Sequence, residues 1–520
     1  MLATLKHVAT ASRISATNPW LVLTVLCGAL LITGLDNTIV NVALPTIQRD
    51  LDASTAELQW VVDSYTVMFA GLLVLAGTLG DRFGRKRIFL IGLVVFALGS
   101  LGGTLAATAG QLSVARAVMG IGGACIMPST LSIIVQNFPD ARARAQAIGI
   151  WAGVSGLGVA IGPVIGGVLL EHFHWNSVFA VNPPIAVIVL VAAIVLVPES
   201  KDPTKPKLDL LGAGLWAVGL ISLVLTIIRL PDDGMTPATL LLLFVSCAAL
   251  IAFVLWEQRA PRPLVPLRLF TNPTFSVSLT LVAMLYFALF GAMFFFPQFL
   301  QLVKGLSPLQ SGLTLVPAAL CLTLAATISP GLAQRFGSRT MVVAGLTVVT
   351  VGLAGASLFV SATAGWQVAA TMALVGLGMG LTLPHATNGV LSCVPKERAG
   401  IGSAMNETTG EVGGALGVAV LGALLSTAYR ARIDQAVADA GAAAAQVPQS
   451  VIDAVRDSLA AASLVAGQSP QVLREAITTI AGGAFVSGMD TAVWVGACVT
   501  AVGAVIAAFV FPKRLAEVSE

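Results

Sequence analysis

Fourteen apolar runs, each long enough to cross a bilayer, take up most of this 520-residue chain. They lie near 20–46, 58–79, 88–108, 112–135, 146–170, 177–197, 210–229, 237–256, 273–302, 309–333, 340–361, 366–391, 400–428 and 486–511. A helix needs about 20 apolar residues to cross the hydrocarbon core. Inside lipid only helices and closed barrels satisfy their own backbone groups. Hydrophobic residues make up 57% of the chain and charged residues 10%, with a mean hydropathy of +0.92 that excludes a soluble domain. The 52 glycines suit closely packed membrane helices. These features predict an all-α polytopic membrane protein.

Loop charge orients the spans. Twenty of the 28 Lys and Arg fall in one alternating set of loops and termini, beginning with Lys6 and Arg13. Seven fall in the opposite set, and Arg116 lies within a span. The positive-inside rule then predicts both termini in the cytoplasm. The first run continues through Asp36 and Asn41 without a small-residue cleavage site, so it reads as a retained span. Trp20, Trp60, Trp175, Trp256 and Trp366 stand near span ends, where interface anchors are expected.

The chain also repeats itself. LGDRFGRK at 79–86 aligns with LAQRFGSR at 332–339, with Gln334 in place of Asp81. Both copies follow the second span of a six-span block. The expected plan is two six-helix bundles, 1–198 and 273–520, related by a pseudo-two-fold axis with the ligand path between them. Two extra helices occupy 199–272, flanked by Pro-rich linkers at Glu199–Asp209 and Gln258–Pro273. Residues 429–484 form a long Ala-rich outer loop with Val451, Val455 and Leu459 on one helical face. That loop reads either as a solvated helical hairpin without function or as a lid over the outer mouth.

The loop GTLGDRFGRKR, Gly77–Arg87, carries Asp81, Arg82, Arg85, Lys86 and Arg87 in eleven residues. Topology needs its positive charge, but not its glycine spacing or its single acid. Gly77, Gly80 and Gly84 allow close approach and a tight turn. Asp81 stands where a helix N-terminus, its own or a neighbour's, can meet it. The loop resembles the signature between the second and third spans of the major facilitator superfamily. The six-plus-two-plus-six plan is similar to that superfamily's fourteen-span drug:proton antiporters. The resemblance implies that Gly77, Gly80, Asp81, Arg82, Gly84 and Arg85 gate the transport cycle. The fifth span, GVSGLGVAIGPVIGG, looks like the antiporter motif, which adds Gly162, Pro163 and Gly166 to the gate.

Buried charge points to the chemistry. A carboxylate at mid-membrane costs about 2.5–3.5 kcal/mol even on a lenient scale. Asp36, Asp63, Glu407 and Glu411 nevertheless lie within spans. An apolar setting favours the protonated form of a carboxyl, so such groups can carry protons. Glu407 and Glu411 share one helix face. Arg116 is the one base deep in a span and needs a carboxylate or backbone carbonyls; Asp36 is its candidate partner, and a purely structural arginine is the alternative. LDNTIVNVALPTIQ around Asp36 and NETTGEVGGALGVAVLG around Glu407 and Glu411 resemble the first-span and penultimate-span motifs of the fourteen-helix antiporters. The resemblance implies proton coupling by Asp36, Arg116, Glu407, Glu411 and Asp63. Substrate would meet Asp36, Asn37, Asn41, Tyr65, Tyr286, Phe290 and Glu407. Members of that family often carry arginine just before the second acid, where this chain has Gly410. An acid found in the tenth span of some relatives is missing between Pro308 and Pro330, which argues against divalent cations.

Other classes lack support. No GxxxxGK[ST], HExxH or CxxC occurs, so neither a phosphate loop nor a metal site is expected. The net charge of +3, spread over short loops, gives nucleic acid no surface. The expectation is a monomeric, proton-driven exporter of small amphiphilic cations in the cytoplasmic membrane, with no cofactor beyond the proton motive force. Export of a lipid or a self-made antibiotic, or a non-transporting sensor, are the alternatives.

Overall fold

The computed structural model describes residues 18–51, 53, 55–201, 209–260, 263–358, 364–441 and 447–513. Lys6, Arg13 and the side chain of Asn41 lie outside the described residues. Among those described, every regular element is helical, and fourteen helices are long and apolar enough to cross a membrane.

The first six spans are α1 (Pro19–Leu51), α2 (Thr55–Phe83), α3 (Arg85–Thr104), α4 (Ala109–Asn137), α5 (Ala141–His172) and α6 (Ser177–Leu196, interrupted at Val181). Two inserted helices follow, α7 (Leu210–Asp233) and α8 (Pro237–Glu257). Then come α9 (Pro273–Gln298), α10 (Pro308–Phe336), α11 (Ser338–Ala356), α12 (Gly365–Ser392) and α13 (Ala399–Ala440). Two short helices, α14 (Gln449–Asp457) and α15 (Leu459–Gln468), precede the last span, α16 (Gln471–Val510). Starts follow local chemistry: Thr108, Asp140, Asp209, Thr236 and Asn272 cap the helices after them, and Ser307 with Gln310 forms a capping box.

Helices α1–α6 pack among themselves, as do α9–α13 with α16. The two groups meet along α5 with α10 and along α2 and α4 with α13. Inserted α7 lies against both α2 and α13, where Ile221 fills the space over Gly71. An apolar cluster of Val74, Ala213, Phe253, Leu264, Val265, Phe275, Val390 and Ile401 joins both groups and the inserted pair.

The two copies of the repeat take the same backbone form. Gly84 has φ 121° and Gly337 has φ 85°, values open to glycine and strained for other residues. The residue after each donates its backbone N–H to the segment that follows the last span of its block. Arg85 N–H meets the Ser200 carbonyl at 2.9 Å, and Ser338 N–H meets that of Lys513 at 3.0 Å.

Four expectations need correction. Gln258–Pro273 does not behave as a loose linker where it is described. Buried Glu257 accepts the backbone N–H groups of Leu264 and Val265, both at 3.1 Å, and both side chains enter the apolar cluster. Trp175 is no interface anchor but is buried edge-on against Phe179. Much of 429–484 continues the spans as helix, since α13 runs to Ala440 and α16 begins at Gln471. At 42 residues, α13 extends roughly 60 Å, about twice the hydrocarbon thickness. Val451 and Val455 belong to a different helix from Leu459, because Ser458 ends α14 and caps α15. Tyr429 Oη donates to the Val455 carbonyl at 2.7 Å, and Arg456 pairs with Asp434 at 2.6 Å. This helical projection packs on α13, α16 and the short helical turn Phe299–Val303 that follows α9.

Candidate functional site

The repeat loop brings its charged residues to the junction of the two groups of helices. Asp81 Oδ1 accepts from Arg85 Nε at 3.0 Å and Nη2 at 2.8 Å, and from the Gly400 backbone N–H at 3.0 Å. Gly400 lies in the first turn of α13, whose unpaired N–H groups and dipole favour an anion. Arg85 Nη2 also donates to the carbonyls of Lys396 and Glu397, at 2.9 and 2.8 Å. Gln136 Nε2 reaches the same Lys396 carbonyl at 2.7 Å. A Cβ on Gly77 would strike the Gly400 carbonyl, and one on Gly400 would strike that of Gly77. Gly80 differs from expectation: a Cβ there meets nothing nearer than 3.9 Å, so close approach does not require glycine at that position. Arg82 is half-buried and stacks on Phe83 at 5.1 Å. Glu199, missed from sequence, accepts the backbone N–H groups of Lys86 and Arg87 and fixes the start of α3.

A second cluster is buried among α1, α2, α4 and α6. Arg116 Nη1 donates to Asp36 Oδ2, and both side chains are fully buried. Arg116 Nε donates to the Val61 carbonyl at 3.2 Å, and the guanidinium lies 4.4 Å from the Tyr65 ring centroid. The other carboxylate oxygen, Asp36 Oδ1, accepts from Asn182 Nδ2 at 3.0 Å. Asn182 is a site residue that sequence reasoning missed. It stands where α6 restarts after its break, and an asparagine there reads as an ordinary helix-end residue.

Glu407 and Glu411 lie on α13 with Tyr286 and Phe290 of α9. Glu407 is buried and accepts from Asn406 Nδ2 at 3.0 Å; Glu411 is half-buried. Among the described residues no base pairs with either acid. Tyr286 lies within electrostatic reach of both carboxylates, while Tyr65 reaches Asp36, Arg116 and Glu411. Tyr65 therefore stands between the two charged clusters. The Tyr286 ring covers Gly410, and Phe290 covers Gly414. The two rings meet edge-on at 5.6 Å. These aromatics pack helices together as well as offering apolar surface. Asn37 and Asp63 are half-buried on α1 and α2.

Glycines of α5 face two ways. Gly158, Gly162 and Gly166 lie on α1 at Gly34, Thr38 and Ile39, so a Cβ on Gly162 would overlap the Thr38 hydroxyl. Gly149, Gly153 and Gly156 lie on α10, where Thr323 Oγ1 donates to the Gly153 carbonyl at 2.8 Å. Pro163 points at Gly312 of α10. One helix thus packs smoothly on its own bundle and on the opposite one.

The sequence profile described as the Major Facilitator Superfamily matches residues 26–418. The multidrug efflux pump LfrA of Mycolicibacterium smegmatis is 36% identical over 491 residues, covering 94% of this chain and 96% of that protein. The tetracenomycin C resistance and export protein of Streptomyces glaucescens is 33% identical, covering 94% and 91%. Among solved structures, the human organic anion transporter MFSD10 superposes with a TM-score of 0.61 at 13% identity, covering 94% of this chain and 99% of that one. A bacterial homologue of the human lysosomal transporter Spinster, inward-facing and unoccupied, gives 0.60 at 18% identity, covering 95% and 97%. These two share the fold. With a profile match across most of the chain and full-length relatives above 30% identity, this multi-pass membrane protein belongs to the major facilitator superfamily.

Proposed function

We propose that the protein is a proton-coupled efflux antiporter that exports amphiphilic, cationic drugs or toxic compounds by alternating access. The observation that carries this reading is a pair of charged clusters on opposite bundles. One is a buried carboxylate already neutralised by Arg116; the other is two carboxylates that no described base neutralises. A lone carboxylate in an apolar interior is stabilised by a proton or by a cationic ligand, so the two compete. Asp36, Glu407, Glu411 and Asp63 carry protons, and Arg116 takes part in coupling through its pair with Asp36. Asp36, Asn37, Tyr65, Tyr286, Phe290 and Glu407, with Asn41, line the substrate path. The relatives are drug and antibiotic exporters by name, which supports the direction of transport.

The six-helix groups at 1–198 and 273–520 act as the rocking bodies. The Asp81–Arg85–Gly400 contacts latch them at one end, and loop charge puts that end in the cytoplasm of a monomer in the inner membrane. A proton entering down about 100 mV supplies about 2.3 kcal/mol, and each pH unit about 1.4 more. Moving a monovalent cation outward costs the same ~2.3 kcal/mol, so with one pH unit one proton opposes about a tenfold substrate gradient and two protons oppose roughly a thousandfold or more. The tetracenomycin C resistance and export protein favours a second reading, export of an antibiotic.

Everted membrane vesicles with an acid lumen test the proposal. A lipophilic cation such as ethidium should accumulate inside while protons leave, and dissipating the pH gradient should stop both. Uptake that persists without the gradient, or uptake without proton release, would overturn it.

A further inference from the structure

We infer that Asn182 is a positioning residue for the Asp36 carboxylate, holding it in the orientation that Arg116 needs and restraining its uptake of a proton. This rests on the reading of Asp36 as a proton-coupling acid. Asn182 is fully buried. Its Nδ2 donates both to Asp36 Oδ1 at 3.0 Å and to Ser100 Oγ at 3.1 Å. The Ser100 hydroxyl in turn donates to the Phe179 carbonyl at 2.7 Å. A chain of three hydrogen bonds therefore ties Asp36 on α1 to α3 and to the break in α6.

The amide is not there to fill space. Its Oδ1 is buried with no partner among the described residues. An orphaned amide oxygen costs stability, and a leucine of similar size would avoid that cost if packing were the only demand. What the asparagine adds is an N–H aimed at a charge. A neutral donor stabilises the ionised carboxylate without adding charge, so it tunes where Asp36 is not already saturated by Arg116.

Few other groups bear on Asp36. Arg116 faces it from α4, and Tyr65 and Asp63 lie at this level of α2, with Glu411 of α13 beyond Tyr65. Helix α5 is uncharged between residues 145 and 170, and α6 carries no charged residue at all. Among the described residues, the hydrogen-bond chain from Ser100 is thus the polar contribution to Asp36 from that side.

Binding of ethidium to the purified protein, titrated from about pH 5.5 to 8.5, tests the inference. In wild type, affinity should fall as protons compete. Removing the donor in Asn182→Leu favours the protonated carboxyl, so the half-maximal pH should rise by about one unit, a tenfold change in proton affinity. Ser100→Ala loosens the same amide and should move the midpoint the same way by less. If Asn182→Leu fails to insert, Asn182→Ala carries the same expectation. The shift should persist when Glu411→Gln is added, because it acts through Asp36. An unchanged midpoint in a folded Asn182 variant, with at most a loss of thermal stability, would reduce the residue to a structural role and overturn the inference. So would a shift that vanishes in the Glu411→Gln background. Wild-type binding that ignores pH is a separate outcome: it sinks the coupling role of Asp36, and this inference with it.

Discussion

Asp81→Asn separates a latch from a topology signal, and the structure sets the size of its effect. Three donors converge on Asp81 Oδ1: two from Arg85 and one from the Gly400 backbone. The amide oxygen of asparagine can take the same position, so geometry survives and charge is lost. The Arg85–Asp81 contacts join residues of one bundle and persist whether the latch is open or closed, while the Arg85 bonds to the Lys396 and Glu397 carbonyls cross between bundles but do not involve Asp81. The Gly400 bond crosses between bundles and counts only in the closed form. Converting it from charge-assisted to neutral costs about 1 kcal/mol, and losing the anion at the α13 N-terminus costs about 0.3–1 more. A shift of about 1.3–2 kcal/mol changes the closed-to-open ratio roughly 10- to 30-fold. Spin labels on the loop ends of α2 and α13, in a background without the six native cysteines, report that ratio as a distance distribution. The expected result is a large gain in the long distance, with export abolished and membrane insertion intact. A wild-type distribution with wild-type efflux would refute the reasoning and leave the loop as a topology signal. Gly400→Ala, which forces a Cβ to within 2.8 Å of Asp81 Cγ and into the Gly77 carbonyl, should open the latch further.

Three more outcomes are expected. Gly162→Leu or Gly166→Leu should wedge α5 from α1 and lock or leak the transporter, which substrate efflux and passive dye leak would show; normal transport by both would place no demand on that face. Gly84→Ala faces backbone strain at φ 121° and a Cβ 2.6 Å from the Glu199 carboxyl, so thermal unfolding should show a loss of about 1–3 kcal/mol, and wild-type stability would mean the turn relaxes freely. Asp36→Asn should weaken binding of a cationic dye and stop gradient-driven transport, whereas Glu411→Gln should stop transport but keep equilibrium binding within about threefold, well under the ~1.4 kcal/mol of a tenfold change. Equal loss of affinity in the two would end that division of labour.

Much of the site was legible because burial leaves charge so few options. Arg116 is the one base deep in a span, and an unneutralised guanidinium there is prohibitive, so a carboxylate such as Asp36 was its natural candidate before any contact was visible. The acids of α13 were legible for the same reason, though not how much each is exposed. Asn182 was not legible, because a neutral amide at a helix break carries no cost that sequence can register. Glu199 stands at the start of a linker and Glu257 just beyond the eighth apolar run, yet each binds two backbone N–H groups that chain order does not bring to mind.

The sequence by itself determined the number of spans, the loop charge, and the glycine turn in each repeat. Lipid forbids unpaired backbone, and a positive φ tolerates little else. Only the tertiary structure decided that Asp81 meets the N-terminus of α13, that α5 has one glycine face for each bundle, and that Trp175 is buried. Those contacts join residues tens to hundreds of positions apart. They depend on how helices of similar apolar surface register against one another, and that register is fixed by the close fit of small residues rather than by hydrophobicity, which all these helices share.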